Sequence, residues 1–277
     1  MTQAVLVLGA TGTVGRRVAA RLRERGRPVV AASRSGEMPF DWSDERTWVR
    51  AVDGADRAFV MAPDGVAVDP RFVARAVAGG VRRLVLLSSR SIDLMNDERL
   101  LAAERAVRES GTAWTVVRAD WFDQNFDEGF LRDAVLAGEV VVPVGEVRQG
   151  FVDAGDVAGV AVEALTGDGH QGQVYEVTGP AALTFAEATA IVSRAAGVPV
   201  TFLGAAGDYV RVMTEAGLDA QQVAAEVAAF EALRRQGDAL VTDTVERVTG
   251  HPPRSLERYA AEAAARGAWA RAQEDVP

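Results

Sequence analysis

The chain has 277 residues, 48% of them hydrophobic and 25% charged, with a formal net charge of −9. That composition belongs to a folded globular protein of one large domain or two small ones, and it argues against disorder and against bulk electrostatic attraction to nucleic acid or an anionic membrane. There is no cysteine, which removes disulfides, thiolate nucleophiles and cysteine metal sites together, and the two histidines, His170 and His251, have no ligand-spaced companion.

The first residues, MTQAVLVLGATG, carry no basic leader, and their apolar run is too short to span a bilayer, so a cytoplasmic protein is expected. QAVLVLG, from Gln3, predicts a strand covered on both faces. Val14, Val18 and Leu22 then recur every four residues as a helical stripe that stops at Gly26. RPVVAAS is the next strand, and SDERTWVRAV a helix with Ser43 as its expected N-cap. RAFVMAP predicts a strand, DPRFVARAVAGG a helix with Pro70 in its first turn, and RRLVLLSS a strand. NDERLLAAERAVRESG is a helix ended by Gly111, followed by the strand AWTVVRA. The alternation continues through DVAGVAVEAL and GQVYEVTG.

Strict strand–helix alternation means crossover units, a parallel sheet and helices on both of its faces. The expected class is therefore α/β: a Rossmann-like doubly wound parallel sheet over residues 1–179. After Gly179 the pattern turns helical, with a capping box from Thr184 to Glu187, stretches around Asp208–Ala216 and Ala220–Arg235, and a closing helix SLERYAAEAAARGAWA. Residues 180–277 are expected to form a smaller, mostly helical substrate-binding cap.

The motif GATGTVG lies between the first strand and the first helix. Gly9, Gly12 and Gly15 permit a tight turn and close backbone approach, and with Thr11, Thr13 and Val14 they offer amides to a pyrophosphate at the helix N-terminus. The second strand ends in Ser33 and Arg34, where an NAD site would usually place an acid to accept from the ribose 2′-hydroxyl. A guanidinium instead matches a 2′-phosphate, so NADP(H) is the expected cofactor. Asp41 is a candidate partner for the adenine amino group. Ala62 and Pro63, Ser88 and Ser89, and Trp121 and Phe122 each follow a different strand. In a parallel sheet these ends share the carboxyl edge, which places Ala62 and Pro63 beside the ribose and the aromatic pair near the nicotinamide and substrate.

On the segments LGATGTVG, SRSG, GVRRLVLLSS, SGTAWTVVRADWFDQNF, DAGDVAGVAVEAL, YEVTGPAALTFAEATAIVSRAAG and VTGHPPRSLERY, the chain resembles the NmrA-like type of atypical short-chain dehydrogenase/reductases over nearly its whole length. The resemblance implies a Rossmann-like fold binding NADP(H), with substrate held between cofactor and cap. It also implies either reduction of quinones and triphenylmethane dyes or, as in the family's regulatory members, cofactor sensing without turnover.

Many short-chain reductases protonate their substrate with a Tyr-x-x-x-Lys pair. This chain contains no lysine, all 30 basic residues being arginine, and Tyr175, Tyr209 and Tyr259 lie outside the segment after Ser89. Ser88 and Ser89 are left to hydrogen-bond substrate or ribose, and Asn125 to orient a substrate oxygen. Glu104 and Arg108 read as a solvated i,i+4 pair, and one of Asp153 and Asp156 as a helix N-cap. Without a dedicated acid, hydride transfer needs an electrophilic acceptor. A quinone, an enone or a polycyclic aromatic molecule fits, held in a slot drawn from Trp121, Phe122, Phe126, Phe130, Phe151 and Tyr209. A monomer or homodimer is expected, without nucleic-acid, membrane or metal partners.

Overall fold

In the computed structural model, which describes residues 4–270, the short apolar runs become strands and the four-residue stripes become helices. In chain order the first elements are β1 (Ala4–Leu8), α1 (Thr13–Glu24), β2 (Val29–Ser33), β3 (Met38–Pro39), α2 (Glu45–Val52), β4 (Ala55–Val60), α3 (Pro70–Ala78) and β5 (Arg83–Ser89). They are followed by α4 (Ile92–Met95), α5 (Glu98–Arg108), β6 (Ala113–Ala119), a 3-10 turn (Asp123–Phe126), α6 (Arg132–Ala137), β7 (Glu139–Val141), α7 (Ala154–Thr166) and β8 (Gln173–Val177). The chain continues through α8 (Phe185–Ala196), β9 (Thr201–Leu203), α9 (Ala206–Glu215), α10 (Ala220–Gln236), α11 (Thr244–Thr249) and α12 (Leu256–Ala265). Gln3, expected to open the first strand, and positions 271–277 of the expected cap lie outside the described residues.

The chain divides into two units. The first comprises Met1–Asp120, Ala154–Val177 and Thr242–Pro252. Its seven strands pair in the order β3-β2-β1-β4-β5-β6-β8, and every pairing is parallel. Successive strands move outward from β1 in one direction and from β4 in the other, so the strand order reverses between them. The crevice beyond the carboxyl ends of β1 and β4 is where such sheets take ligands.

Val5, Leu6, Val7 and Leu8 are all fully buried, as a strand covered on both faces must be. On one face Leu6, Leu8, Leu84 and Leu86 meet Trp48 of α2, Phe72 of α3 and Val107 of α5. Side chains alternate along a strand, so Val5 and Val7 turn to the other face. There α7 lies against α1 and against β4, β5 and β6. Phe72 stands edge-on to Phe40, Trp42 and Trp48, with centroids 5.1–5.7 Å away; truncating it to alanine should cost about 3–5 kcal/mol.

The N-cap of α2 is Asp44, one residue beyond the expected Ser43: its carboxylate accepts from the Arg46 backbone N–H. Ser43 turns both its N–H and its hydroxyl back to Asp41.

The second unit comprises Trp121–Asp153, Thr178–Val241 and Pro253–Pro277. Its core gathers Phe126, Phe151, Phe185, Leu256 and Tyr259 with Trp269. The capping box at the start of α8 forms as expected, Thr184 and Glu187 satisfying each other's backbone N–H. The unit is not wholly helical: β7 and β9 pair in parallel. Tyr259 donates to the buried carboxylate of Asp127, and burial together with that carboxylate pushes the phenol well above its ordinary range.

The expected division at residue 179 meets one crossing of the chain, between Val177 and Thr178, but the segments 121–153 and 242–252 each fall in the unit opposite to a contiguous split. The latter belongs to the sheet because α11 lies on α7 and Thr242 donates to the Glu176 carbonyl of β8 at 2.8 Å.

Candidate active site

The glycine turn after β1 is built by exclusion. Gly9 has φ +65°, in the left-handed region, and a Cβ there would collide with Met61. A Cβ on Gly15 would strike the Gly9 carbonyl, so α1 approaches the turn as closely as backbones allow. Gly12 caps α1 in an extended conformation and donates its N–H to that same carbonyl at 2.8 Å. No side chain caps α1, and its first turn holds no acid. The amides of Thr13, Val14 and Gly15 are thus available to an external anion. Val14 is itself 3% exposed, so its backbone rather than its side chain serves here.

At the tip of β2, Ser33 is buried and its hydroxyl has no hydrogen-bond partner. A buried hydroxyl is costly unless something satisfies it. Arg34 and Ser35 follow, both exposed. Asp41 accepts from the Ser43 hydroxyl at 2.7 Å and N–H at 2.8 Å. Those bonds, helped by the nearby positive charge of Arg34, hold its carboxyl below the usual range. An unsatisfied hydroxyl, an exposed guanidinium and an uncapped helix start on adjacent strand ends fit a dinucleotide carrying a 2′-phosphate. After β4, Ala62 packs partly against the core and exposed Pro63 accepts from the Val66 N–H at 3.0 Å, closing a turn.

The tip of β5 differs from expectation. Glu104 is not solvated: it is 3% exposed and forms the centre of a cluster under the sheet edge. Its Oε1 accepts from the Ser88 hydroxyl and from Arg118 Nε, each at 2.8 Å. Its Oε2 accepts from Arg118 Nη2 and Arg108 Nη2, also at 2.8 Å. Burial pushes the carboxyl up, but the bonds from Arg118 and Ser88 and the two guanidinium charges outweigh it, and the net shift is downward. Arg118 and Ser88 are register partners on neighbouring strands, which is why both reach one helix residue. Ser89 donates its own proton to the Arg90 carbonyl at 3.2 Å.

The remaining expected residues belong to the second unit. Trp121 is partly exposed and donates from Nε1 to Gln149 at 3.1 Å. Its ring lies 6.2 Å from Phe230, nearly parallel, and 5.0 Å from Phe185, edge-on. Phe130, 66% exposed, lies 6.4 Å from it. Phe122 is partly buried, its carbonyl accepting from the Asn125 N–H at 3.0 Å. The Asn125 side-chain amide is partly exposed and hydrogen-bonds to none of the described residues. Phe126, Phe151 and Tyr209 are buried and belong to packing rather than to a slot. Phe230, standing between alanine-rich turns of α10, carried no signal in the sequence. Asp153 is buried, accepting from Gln124 at 2.9 Å and pairing with Arg254 at 3.4 Å.

A doubly wound parallel sheet with a glycine turn at its switch point and an uncapped helix beside it defines a dinucleotide-binding α/β protein. No protein-family model matches the chain. Curated relatives do. The chain is 36% identical over 274 residues to the (4-alkanoyl-5-oxo-2,5-dihydrofuran-3-yl)methyl phosphate reductase of Streptomyces griseus, covering 93% of this chain and 97% of that protein. It is 34% identical over 287 residues to the NAD(P)H azoreductase of Xenophilus azovorans, covering 95% and 99%. Among solved structures, the NADPH-dependent quinone oxidoreductase of Escherichia coli in complex with NADPH matches in fold with a TM-score of 0.71 at 20% identity, covering 93% of this chain and 99% of that one. The chain belongs to the NmrA-like atypical short-chain dehydrogenase/reductases and, with these relatives, to the oxidoreductases among them. Among the described residues no helix is long and apolar enough to cross a membrane.

Proposed function

We propose that the protein is an NADPH-dependent reductase of a quinone-like, enone or polycyclic aromatic small molecule, working without a side-chain acid. The observation that carries this reading is the direction of the serine protons at the tip of β5. Ser88 gives its proton to the Glu104 carboxylate and Ser89 lies beside the Arg90 carbonyl, so neither hydroxyl is paired with a group that would make it an acid. With no lysine in the chain, there is no ammonium to lower the pKa of a tyrosine.

The backbone amides of Thr13, Val14 and Gly15 hold the pyrophosphate, and Arg34 and Ser33 hold the 2′-phosphate. Gly9, Thr11 and Gly12 shape the turn beneath, while Asp41 lies toward the adenine and Ala62 and Pro63 toward the ribose. Bound NADPH would supply the hydride. What the chain contributes is orientation and exclusion of side reactions, with the proton taken from water. Trp121 and Phe130 offer aromatic faces to a flat acceptor, and the Asn125 amide offers a donor to its oxygen. The names of the relatives agree with such acceptors: one reduces an unsaturated oxo ring, the other an azo bond.

Stopped-flow oxidation of NADPH against matched quinones and saturated ketones tests the reading. Rapid oxidation by the quinones and none by the ketones is expected. Binding of NADPH with no oxidation by any acceptor would instead favour a cofactor-sensing or scaffolding protein of the NmrA type.

A further inference from the structure

We infer that Glu104 is a positioning residue: by taking the only proton of Ser88 it fixes that hydroxyl as a hydrogen-bond acceptor, so that the tip of β5 selects a ligand group that donates, a hydroxyl or an amide N–H. The inference rests on the reductase reading and adds to it a residue that would never touch the ligand.

The geometry leaves little freedom. A carboxylate offers about four lone-pair directions, and here Ser88, Arg118 twice and Arg108 fill them. The two guanidiniums already balance the charge of Glu104, and Arg118 Nη1 reaches on to Asp93 at 3.2 Å. The serine is therefore not needed for neutralisation. What its bond to Glu104 changes is the direction of its proton, which lies along the Ser88–Glu104 bond and leaves lone pairs as the serine's offer to any other group. Ser88 itself is buried, 6% exposed.

The isosteric change Glu104→Gln should reverse the hydroxyl. Of its two orientations, placing the amide nitrogen at the Oε2 position opposes two guanidinium donors. Placing it at the Oε1 position opposes one guanidinium and a serine that can turn round and accept. The second orientation conflicts with fewer charged donors, and it frees the serine proton to face a donor on the ligand.

A double-mutant cycle tests this. Ser88→Ala, Glu104→Gln and the double variant are titrated with NADPH by tryptophan fluorescence, and the KM of the quinone acceptor is measured for each. Ser88→Ala should weaken one ligand about five- to tenfold, the size of one hydrogen bond. Glu104→Gln should weaken the same ligand at least as much, and the double variant should be no worse than Ser88→Ala. A loss in the NADPH Kd assigns the donor to the cofactor; a loss confined to acceptor KM assigns it to the substrate. If Glu104→Gln costs the same with Ser88 present or absent, its role is structural and the inference is wrong. Should Glu104→Gln fail to fold, Ser88→Ala decides alone, and unchanged Kd and KM overturn the inference. A wild-type protein that binds NADPH without oxidising it overturns the reductase reading instead, while the Kd arm still judges Glu104.

Discussion

In the first unit the candidate ligand edge is made of backbone. Gly9 and Gly15 admit no Cβ, Gly12 starts α1 without a side-chain cap, and Ser33 and Arg34 sit at a strand tip set by hydrogen-bonded register. In the second unit the candidate residues are side chains drawn from separate elements: Trp121, Phe130, and Phe230 on α10. Backbone sites tolerate few changes and announce themselves as short motifs. A side-chain surface can be rebuilt with any large apolar residue and leaves no short motif behind. The two should accordingly fail in different ways.

The largest effect should come from Gly15→Val. Its branched side chain has to displace the Gly9 carbonyl, so NADPH binding should vanish and stability fall by about 1–3 kcal/mol or more, read by cofactor titration and thermal unfolding. On stability alone the larger loss belongs to Glu104→Ala, which removes the partner of two guanidiniums and should destabilise the first unit by about 3–5 kcal/mol while leaving the glycine turn in place. The wild-type carboxyl is held below its ordinary range. Its stabilisation is therefore complete above the unfolded glutamate pKa of about 4.3 and is lost as pH falls through the lowered folded value, so this variant should flatten the acid limb of a stability–pH curve. An acid limb identical to wild type would contradict the cluster. Smaller, Arg34→Asp should raise the NADPH Kd by about 10–100-fold and barely move that of NADH, since it removes charge-assisted bonds to one phosphate. Equal losses would point to damage in the strand. Smallest, Phe130→Ala should leave stability within about 0.5 kcal/mol because the ring is mostly exposed, yet raise acceptor KM severalfold with no change in NADPH affinity. A change in NADPH affinity would contradict the assignment of Phe130 to the acceptor.

What could be read in advance follows the same line. The strand–helix alternation, the glycine turn, the capping box of α8 and the basic tip of β2 are local patterns, and each appears where its spacing placed it. Glu104 reads as solvated in the sequence because an i,i+4 pair with Arg108 looks the same on a solvated helix as on a buried one. The partner that decides the matter, Arg118, lies 14 residues away on β6, and its reach depends on strand register. The cap of α2 falls to Asp44 rather than Ser43 because the helix begins at Glu45, so the residue placed to accept from the Arg46 N–H is Asp44, while Ser43 sits one position upstream in a turn closed on Asp41. The division at residue 179 missed that α11 returns to the sheet. That return rests on long-range packing against α7, on the Thr242 bond to β8 and on Arg247 lying over the Tyr175 ring of the same strand.

The claim that most needs testing is that hydride leaves for the acceptor with no titrating side chain in attendance. Single-turnover rates of NADPH oxidation by a quinone, followed from about pH 6 to about pH 9, address it directly. A flat profile, unchanged in Ser89→Ala, is the expected result. A sloping limb with a single apparent pKa, abolished by replacing one residue at the carboxyl edge, would show that a proton donor is present after all.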